Sequence, residues 1–252
     1  MTRPRGLGWR PDLPDHRDFR ALEPPSAAIP RSVDLSAFAG PVLDQGQLGA
    51  CTAHGLAGVL EWLDRKRGQQ PRMISRLFQY YNTRWIEGTT ASDSGGTIRD
   101  AVKAAATYGE CPEVEWPYDV QKFADRPAVS CYSVAKTDVA LQYWRVRQDP
   151  FPGAQCLAAG FPVVFGFVVY ESFMQIGPDG VAPMPEPGEQ PVGGHCVWQL
   201  GFDLGTRLVK CRNSWGPDWG LGGDFFLPIE YVSNPQLASD FWTVRKTGPA
   251  AS

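Results

Sequence analysis

The chain has 252 residues, a formal net charge of −3 and 20% charged residues. Hydrophobic residues make up 43% of it, which is enough to build the core of one large domain or of two subdomains. The slightly acidic balance gives no reason to expect nucleic acid or an anionic membrane as a partner. No run reaches the ~18 apolar residues of a membrane span.

The first 28 residues differ from the rest of the chain, because they are rich in proline and in balanced arginine and aspartate. The prolines favour an extended backbone, and Trp9, Leu13 and Phe19 are candidate apolar anchors along it. No apolar stretch follows the basic residues near Met1, so we expect no secretory signal.

Residues 45–51 form a glycine-punctuated loop that leads into an amphipathic helix beginning near Cys51. Apolar residues then recur at helical spacing, and Gly68 and Pro71 end the helix. Cys51 therefore lies in the first turn, where free backbone N–H groups and the helix dipole favour a thiolate. Taken alone, a cysteine at such a position is more often a small buried hydrophobe.

The elements that follow change from helical to β-rich along the chain. Helices are predicted at residues 73–81 and 98–109, with Gly95 and Gly96 just before the second and Gly109 as its C-cap. From about residue 135 the aromatic and β-branched content rises, with one short helix at 154–159. Strands of an antiparallel sheet are predicted at residues 163–170, 195–201, 207–212, 224–227 and 240–244.

Two later motifs change the interpretation of Cys51. His195 follows a pair of glycines and enters an apolar, strand-like run, and Asn213 begins the run Asn-Ser-Trp-Gly. Either residue alone would more often be structural. Together with Gln45 they resemble the papain family of cysteine peptidases in the order Gln, Cys, His, Asn.

The resemblance implies a papain-like, two-subdomain α+β fold. A helical half at about residues 34–134 would pack against an antiparallel, β-barrel-like half at about 135–245, with the active site in the cleft between them. The peptidase domain would span residues 29–245, and a flexible tail residues 246–252. Residues 1–28 are far too short for the large inhibitory pro-domain of the family.

The resemblance also implies a cysteine endopeptidase that works through a thioester acyl-enzyme. Cys51 would attack the peptide carbonyl, and His195 would take the thiol proton and return it to the leaving amine. Asn213 would orient the imidazole, and Gln45 with the backbone N–H of Cys51 would hold the oxyanion. No cofactor or metal is expected, since the cysteines and histidines lack metal-ligand spacing.

By the same resemblance, a peptide or protein substrate would lie along the paired glycines as an added strand. The pocket for the second residue before the scissile bond would contain two glycines and no charge at its base, leaving room for a bulky apolar side chain. The implied substrate-binding residues are Gly95, Gly96, Ile98, Gly166, Gly194 and Ser239, with Trp215 on the leaving-group side and over the His–Asn contact.

The disulfide pattern departs from that of secreted relatives. Leu48 and Asp93 stand where the family often has a bridged cysteine pair, and the five cysteines besides Cys51 cannot all pair. We expect Cys196 and Cys211 to be core strand residues and the protein to be reduced and cytoplasmic. A bridge from residue 131 to residue 111 or 156 stays open.

Two other functions remain alternatives. The same residues would serve an acyl transferase or a peptide ligase, and an occluded site would leave a binding or regulatory protein. For residues 1–28 we predict a lid over the cleft between the paired glycines and His195; a structural belt or disorder is the alternative. We expect a monomer whose partner is the peptide substrate, with no nucleic acid and no membrane.

Overall fold

The computed structural model describes residues 5–19, 28–70, 72–136, 141–148 and 151–247, and its N-terminal half is mainly helical. The helices are α1 Cys51–Lys66, α2 Arg76–Glu87, α3 Ile98–Tyr108 and α4 Val129–Ala135. α1 is buried along most of its length, because it contacts α2 and α3 as well as the sheet of the other half. None of the described helices is long and apolar enough to cross a bilayer.

Seven strands of the described chain form one antiparallel sheet. They are β1 Ser32–Asp34, β2 Leu141–Arg145, β3 Val163–Tyr170, β4 Pro191–Asp203, β5 Leu208–Arg212, β6 Asp224–Pro228 and β7 Ala238–Lys246. Their order in the sheet is β2-β7-β3-β4-β5-β6, with β1 paired to β4. Short helices α5 Ala154–Ala158, α6 Glu171–Met174 and α7 Ile229–Ser233 lie between the later strands. The architecture is therefore α+β, with a papain-like division into helical and β-rich halves.

The two halves share one apolar core. Leu56 of α1 and Ile98 of α3 belong to the same buried cluster as Val164, Trp198 and Trp242 of the sheet. α1 approaches the sheet closely at Gly55, where a Cβ would lie 3.3 Å from Cys196 Sγ. A second cluster, rich in phenylalanine, fills the other side of the sheet.

The helix predicted at residues 73–81 begins later and runs longer than expected. Ile74 instead pairs with Pro112 in a short β-bridge. Ser75 caps α2, since its hydroxyl accepts a hydrogen bond from the Phe78 N–H at 3.0 Å. Gly88, at φ 71°, ends the helix. Helix α4 and strand β2 were not predicted.

A buried ion-pair cluster joins the end of β7 to the helical half. Lys246 Nζ lies 2.7 Å from Asp64 Oδ1 and 2.7 Å from Glu110 Oε2. Lys246 is thus the last residue of β7 and contacts the helical half, one residue beyond the predicted domain end at residue 245. The rest of the predicted tail, residues 248–252, lies outside the described residues.

Candidate active site

Cys51 is the first residue of α1 and is fully buried. The preceding loop turns at Gly46, whose φ of 64° favours glycine. Backbone N–H groups of Gly8 and Cys196 lie close enough to the Cys51 thiol to lower its pKa. Because Cys196 follows His195 on β4, the sheet brings the predicted base next to the predicted nucleophile.

His195 and Asn213 are joined by a hydrogen bond that determines the histidine tautomer. His195 Nε2 lies 2.8 Å from Asn213 Oδ1, and the Ser214 N–H donates to the same oxygen at 2.7 Å. That oxygen is an acceptor, so Nε2 carries the proton and Nδ1 of the neutral ring is an acceptor. Trp215 stacks on the imidazole at a centroid distance of 4.6 Å. These contacts hold the ring with Nδ1 available for the thiol proton.

The side-chain amide of Gln45 is fixed at both ends. Its Oε1 accepts a hydrogen bond from the Ser214 hydroxyl at 2.5 Å, and its Nε2 donates to the Leu48 carbonyl at 2.8 Å. Nε2 also donates to the carbonyl of Gly6 at 3.0 Å. A peptide carbonyl therefore occupies the place where the sequence predicts an oxyanion to be held.

That carbonyl belongs to the protein's own N-terminus. Residues 5–19, hereafter the cleft segment, run through the cleft, and residues 8–10 pair with Gly96 and Gly194. The Trp9 N–H donates to the Gly194 carbonyl at 3.1 Å, and the Gly96 N–H donates to the Gly8 carbonyl at 2.8 Å. The Arg10 N–H returns to the Gly96 carbonyl at 3.2 Å, which makes the pairing with Gly96 parallel.

The side chain of Trp9 fills the predicted substrate pocket. A Cβ on Gly166 would lie 1.9 Å from the indole, and a Cβ on Gly194 would lie 2.8 Å from it, so only glycine leaves room for the ring. Ile98 belongs to the same buried cluster as Trp9, and Ser239 is paired with Gly166 across the sheet. The predicted pocket residues thus come together around one bulky apolar side chain.

The predicted residues around the paired glycines and Trp215 also contact the cleft segment. Gly95, at φ 68°, lies so close to Gly8 that a Cβ would be 2.0 Å from the Gly8 carbonyl oxygen. Trp215 Nε1 lies 3.4 Å from the Gly6 carbonyl oxygen. Of the three expected anchors only Trp9 is buried; Leu13 and Phe19 are 80% and 71% exposed.

Beyond the pocket, a buried charge cluster attaches the cleft segment to both halves of the protein. Arg99 of α3 forms a bidentate ion pair with Asp18, at 2.6 and 2.9 Å. Arg145 of β2 contacts Asp12 and Asp18 of the segment at 3.1 and 3.3 Å and Asp240 of β7 at 2.5 Å. We call these five residues the latch cluster. Burial and the neighbouring Asp240 raise the pKa of Asp12 to about 6.

Burial acts on the ionisation of both Cys51 and His195. Burial raises the pKa of the Cys51 thiol to about 11, against the effect of the backbone N–H donors, and lowers the pKa of His195 to about 4. Burial thus disfavours the charged form of both groups in the covered site, and it opposes the effect of the helix N-terminus, which favours a thiolate.

Several residues of the site were missed by reasoning from sequence. Ser214 was missed because it contacts Gln45, which is distant in sequence. Arg99 and Arg145 were missed for the same reason, since they form ion pairs with aspartates of the cleft segment. Asp93 was noted for replacing a cysteine, yet its contact with the Gly49 N–H was not foreseen. Among the described residues, no three His, Cys, Asp or Glu side chains converge as a metal site.

Comparison with known proteins finds relatives of this chain. An uncharacterized peptidase C1-like protein of Acanthamoeba polyphaga mimivirus is 40% identical over 217 residues, covering 81% of this chain and 69% of that protein. The crystal structure of xylellain, a cysteine protease from Xylella fastidiosa, matches with a TM-score of 0.91 at 38% identity, covering 98% of this chain and 99% of that chain.

More distant structures share the fold. Digestive procathepsin L 3 of the Tenebrio molitor larval midgut matches with a TM-score of 0.69 at 19% identity, over 94% of this chain and 75% of that chain. The family model for papain family cysteine proteases matches residues 29–235, most of the chain. This protein belongs to the papain family of cysteine proteases and is a hydrolase of the peptidase class.

Proposed function

We propose that this chain is a cysteine endopeptidase whose cleft segment keeps it latent. One observation carries the catalytic assignment: His195 donates through Nε2 to Asn213, which leaves Nδ1 as an acceptor on the strand that contacts the Cys51 thiol. A thiol nucleophile needs a base in that state, oriented by a third group.

The reaction follows from these positions. Once the cleft segment leaves and water enters, His195 Nδ1 takes the thiol proton and Cys51 attacks the substrate carbonyl. Gln45 Nε2, released from the Gly6 carbonyl, donates to the developing oxyanion. His195 then protonates the leaving amine, and water hydrolyses the thioester. Asn213 orients the ring throughout and transfers no proton.

The covered cleft supports latency as part of the same function. The segment occupies the positions of a substrate backbone along Gly96 and Gly194 and fills the pocket with Trp9. A peptide with a bulky apolar residue two positions before the scissile bond competes with it. Opening of the segment therefore precedes turnover.

A panel of fluorogenic dipeptides, assayed with the wild-type protein and Cys51→Ala, tests the proposal. We expect hydrolysis by the wild type, none by Cys51→Ala and measurable residual activity with Asn213→Ala. Absence of hydrolysis even by a Trp9→Ala variant would refute it. Product analysis with an added amine acceptor separates hydrolysis from acyl transfer, and we expect hydrolysis products to dominate.

A further inference from the structure

The loop that carries the catalytic cysteine is held by a carboxylate from the connection between α2 and α3. Both oxygens of Asp93 accept hydrogen bonds from the Gly49 N–H, at 3.0 and 3.1 Å. Asp93 lies in the connection between α2 and α3, immediately before the segment that contains Gly95 and Gly96. Its contact with Gly49 therefore joins two loops of the helical half, the loop before Cys51 and the loop with the paired glycines, through hydrogen bonds.

The peptide unit that Asp93 contacts is the one that holds Gln45. The N–H of the Leu48–Gly49 peptide faces Asp93, and the carbonyl of the same peptide accepts the hydrogen bond of Gln45 Nε2 at 2.8 Å. A carboxylate on the N–H side polarises the peptide and strengthens the hydrogen bond at its carbonyl. The orientation of Gln45 Nε2 thus depends on Asp93 through a single peptide plane.

Asp93 is itself held by a buried tyrosine. The Tyr80 hydroxyl donates to Asp93 Oδ1 and accepts a hydrogen bond from the Gly95 N–H at 3.0 Å. The Arg84 guanidinium lies over the Tyr80 ring, 4.0 Å from its centroid. The carboxylate is therefore oriented by the same rim that binds the extended backbone in the cleft.

We propose that Asp93 is a positioning residue for the peptidase reaction: through the Leu48–Gly49 peptide it aims Gln45 Nε2 at the developing oxyanion. This inference rests on the proposed function, because it concerns the same oxyanion site. Asp93 touches neither substrate nor thiol, so its removal weakens transition-state stabilisation and leaves substrate binding intact.

Steady-state kinetics of the full chain test this role. We expect Asp93→Ala to lower kcat by roughly 10-fold, a small part of the 10²–10³-fold typical for a whole oxyanion donor, with KM within about twofold of wild type. Asp93→Asn retains an acceptor for the Gly49 N–H and should lose less. Asp119→Asn is the matched control and should behave as wild type, because Asp119 lies at a surface turn and an asparagine there can still accept the hydrogen bond of the Gln121 N–H.

A double-mutant cycle shows whether the effect passes through Gln45. In a Gln45→Ala background, Asp93→Ala should cause no further loss of kcat, since the donor that it positions is already gone. The affinity for a peptide aldehyde, whose thiol adduct carries an oxyanion, should fall in Asp93→Ala by the same factor as kcat. The affinity for the matching peptide alcohol, and the alkylation rate of Cys51 by iodoacetamide, should stay within about twofold.

The opposite results are distinct from a failure of the proposed function. Three results would overturn the positioning role while wild-type hydrolysis persists. Asp93→Ala could lower kcat equally in the Gln45 and Gln45→Ala backgrounds, it could change KM alone, or it could leave kcat unchanged. Parallel loss of aldehyde and alcohol affinity would reduce Asp93 to a structural residue. Absence of hydrolysis by wild type and Trp9→Ala alike would instead refute the peptidase assignment, and the inference with it.

Discussion

Trp9 and Gly166 fit each other so closely that a single methyl group on Gly166 would overlap the indole, with a Cβ-to-ring distance of 1.9 Å. The pocket that the sequence assigns to substrate is therefore shaped around a residue of the protein itself. Trp9 is 6% exposed, whereas Leu13, a few residues further along the same segment, is 80% exposed. Trp9 is thus the buried apolar anchor of the cleft segment, and Leu7 is partly buried against the phenylalanine-rich cluster.

Trp9→Ala should open the cleft. Burial of a large apolar side chain stabilises by about 1.5–3 kcal/mol, so we expect Cys51 alkylation by iodoacetamide and hydrolysis of small peptides to rise roughly 10- to 100-fold. Rates measured by mass mapping and fluorescence check this, with Leu13→Ala as the control. Equal labelling of the two variants and wild type would mean that the segment is no barrier.

Gly166→Ala should separate the two roles of the pocket, which are to hold Trp9 in the covered protein and to bind the substrate's second residue before the scissile bond. The added methyl group displaces Trp9, so Cys51 labelling should accelerate. The same methyl group narrows the pocket, so kcat/KM for a peptide with a bulky apolar second residue should fall relative to one with alanine there. Comparing the two peptides in wild type and variant measures the effect. A parallel rise for both peptides would show that the substrate does not use this pocket.

Asp12 should make stability depend on pH. Burial, followed by the nearby Asp240, raises the pKa of Asp12 to about 6. The hydrogen bonds from Trp242 and the Arg99 N–H, together with the charge of Arg99, oppose this rise. The Arg145 guanidinium also contacts the Asp12 carboxylate. The folded protein holds the proton more tightly than the unfolded chain does. The contribution is therefore fully present below the ordinary carboxyl pKa and is lost as pH rises through about 6.

Urea unfolding at pH 4 and pH 7.5 measures this contribution. We expect the stability of the wild type relative to Asp12→Asn to fall by roughly 1–3 kcal/mol over that range. Asp179→Asn, an exposed turn residue, should show no such difference. A relative stability that is constant with pH, or rises, would contradict the assignment.

Reductant should have little effect on stability. Cys111, Cys131, Cys196 and Cys211 are buried thiols without disulfides, as is Cys51. Loss of a native bridge typically costs about 2–5 kcal/mol, so melting temperatures with and without reductant should agree within a few degrees. A large drop under reductant would identify a bridge and count against the cytoplasmic location that we propose.

Periodicity and motif spacing predicted much of the fold. The helix beginning at Cys51 and the strand at Val163–Tyr170 lie where expected, because each has a continuous apolar face that local pattern reports. The helix predicted at residue 73 begins instead at Arg76, since Ser75 provides the cap and Ile74 is drawn into a bridge with Pro112. Such a bridge is a contact between distant segments, so local pattern cannot reveal it.

The sequence by itself determined the chemistry available, since the identities and order of Gln45, Cys51, His195 and Asn213 indicate one family and one type of nucleophile. Only the tertiary structure decided whether the cleft is covered and in what surroundings these residues lie. Folding places Trp9 between Gly166 and Gly194 and sets Asp93 against the Gly49 N–H. It also buries Cys51, which raises the pKa of the thiol. Burial and hydrogen-bond geometry arise from residues far apart in the chain, and the pKa of a thiol depends on the water and charges around it rather than on its sequence neighbours.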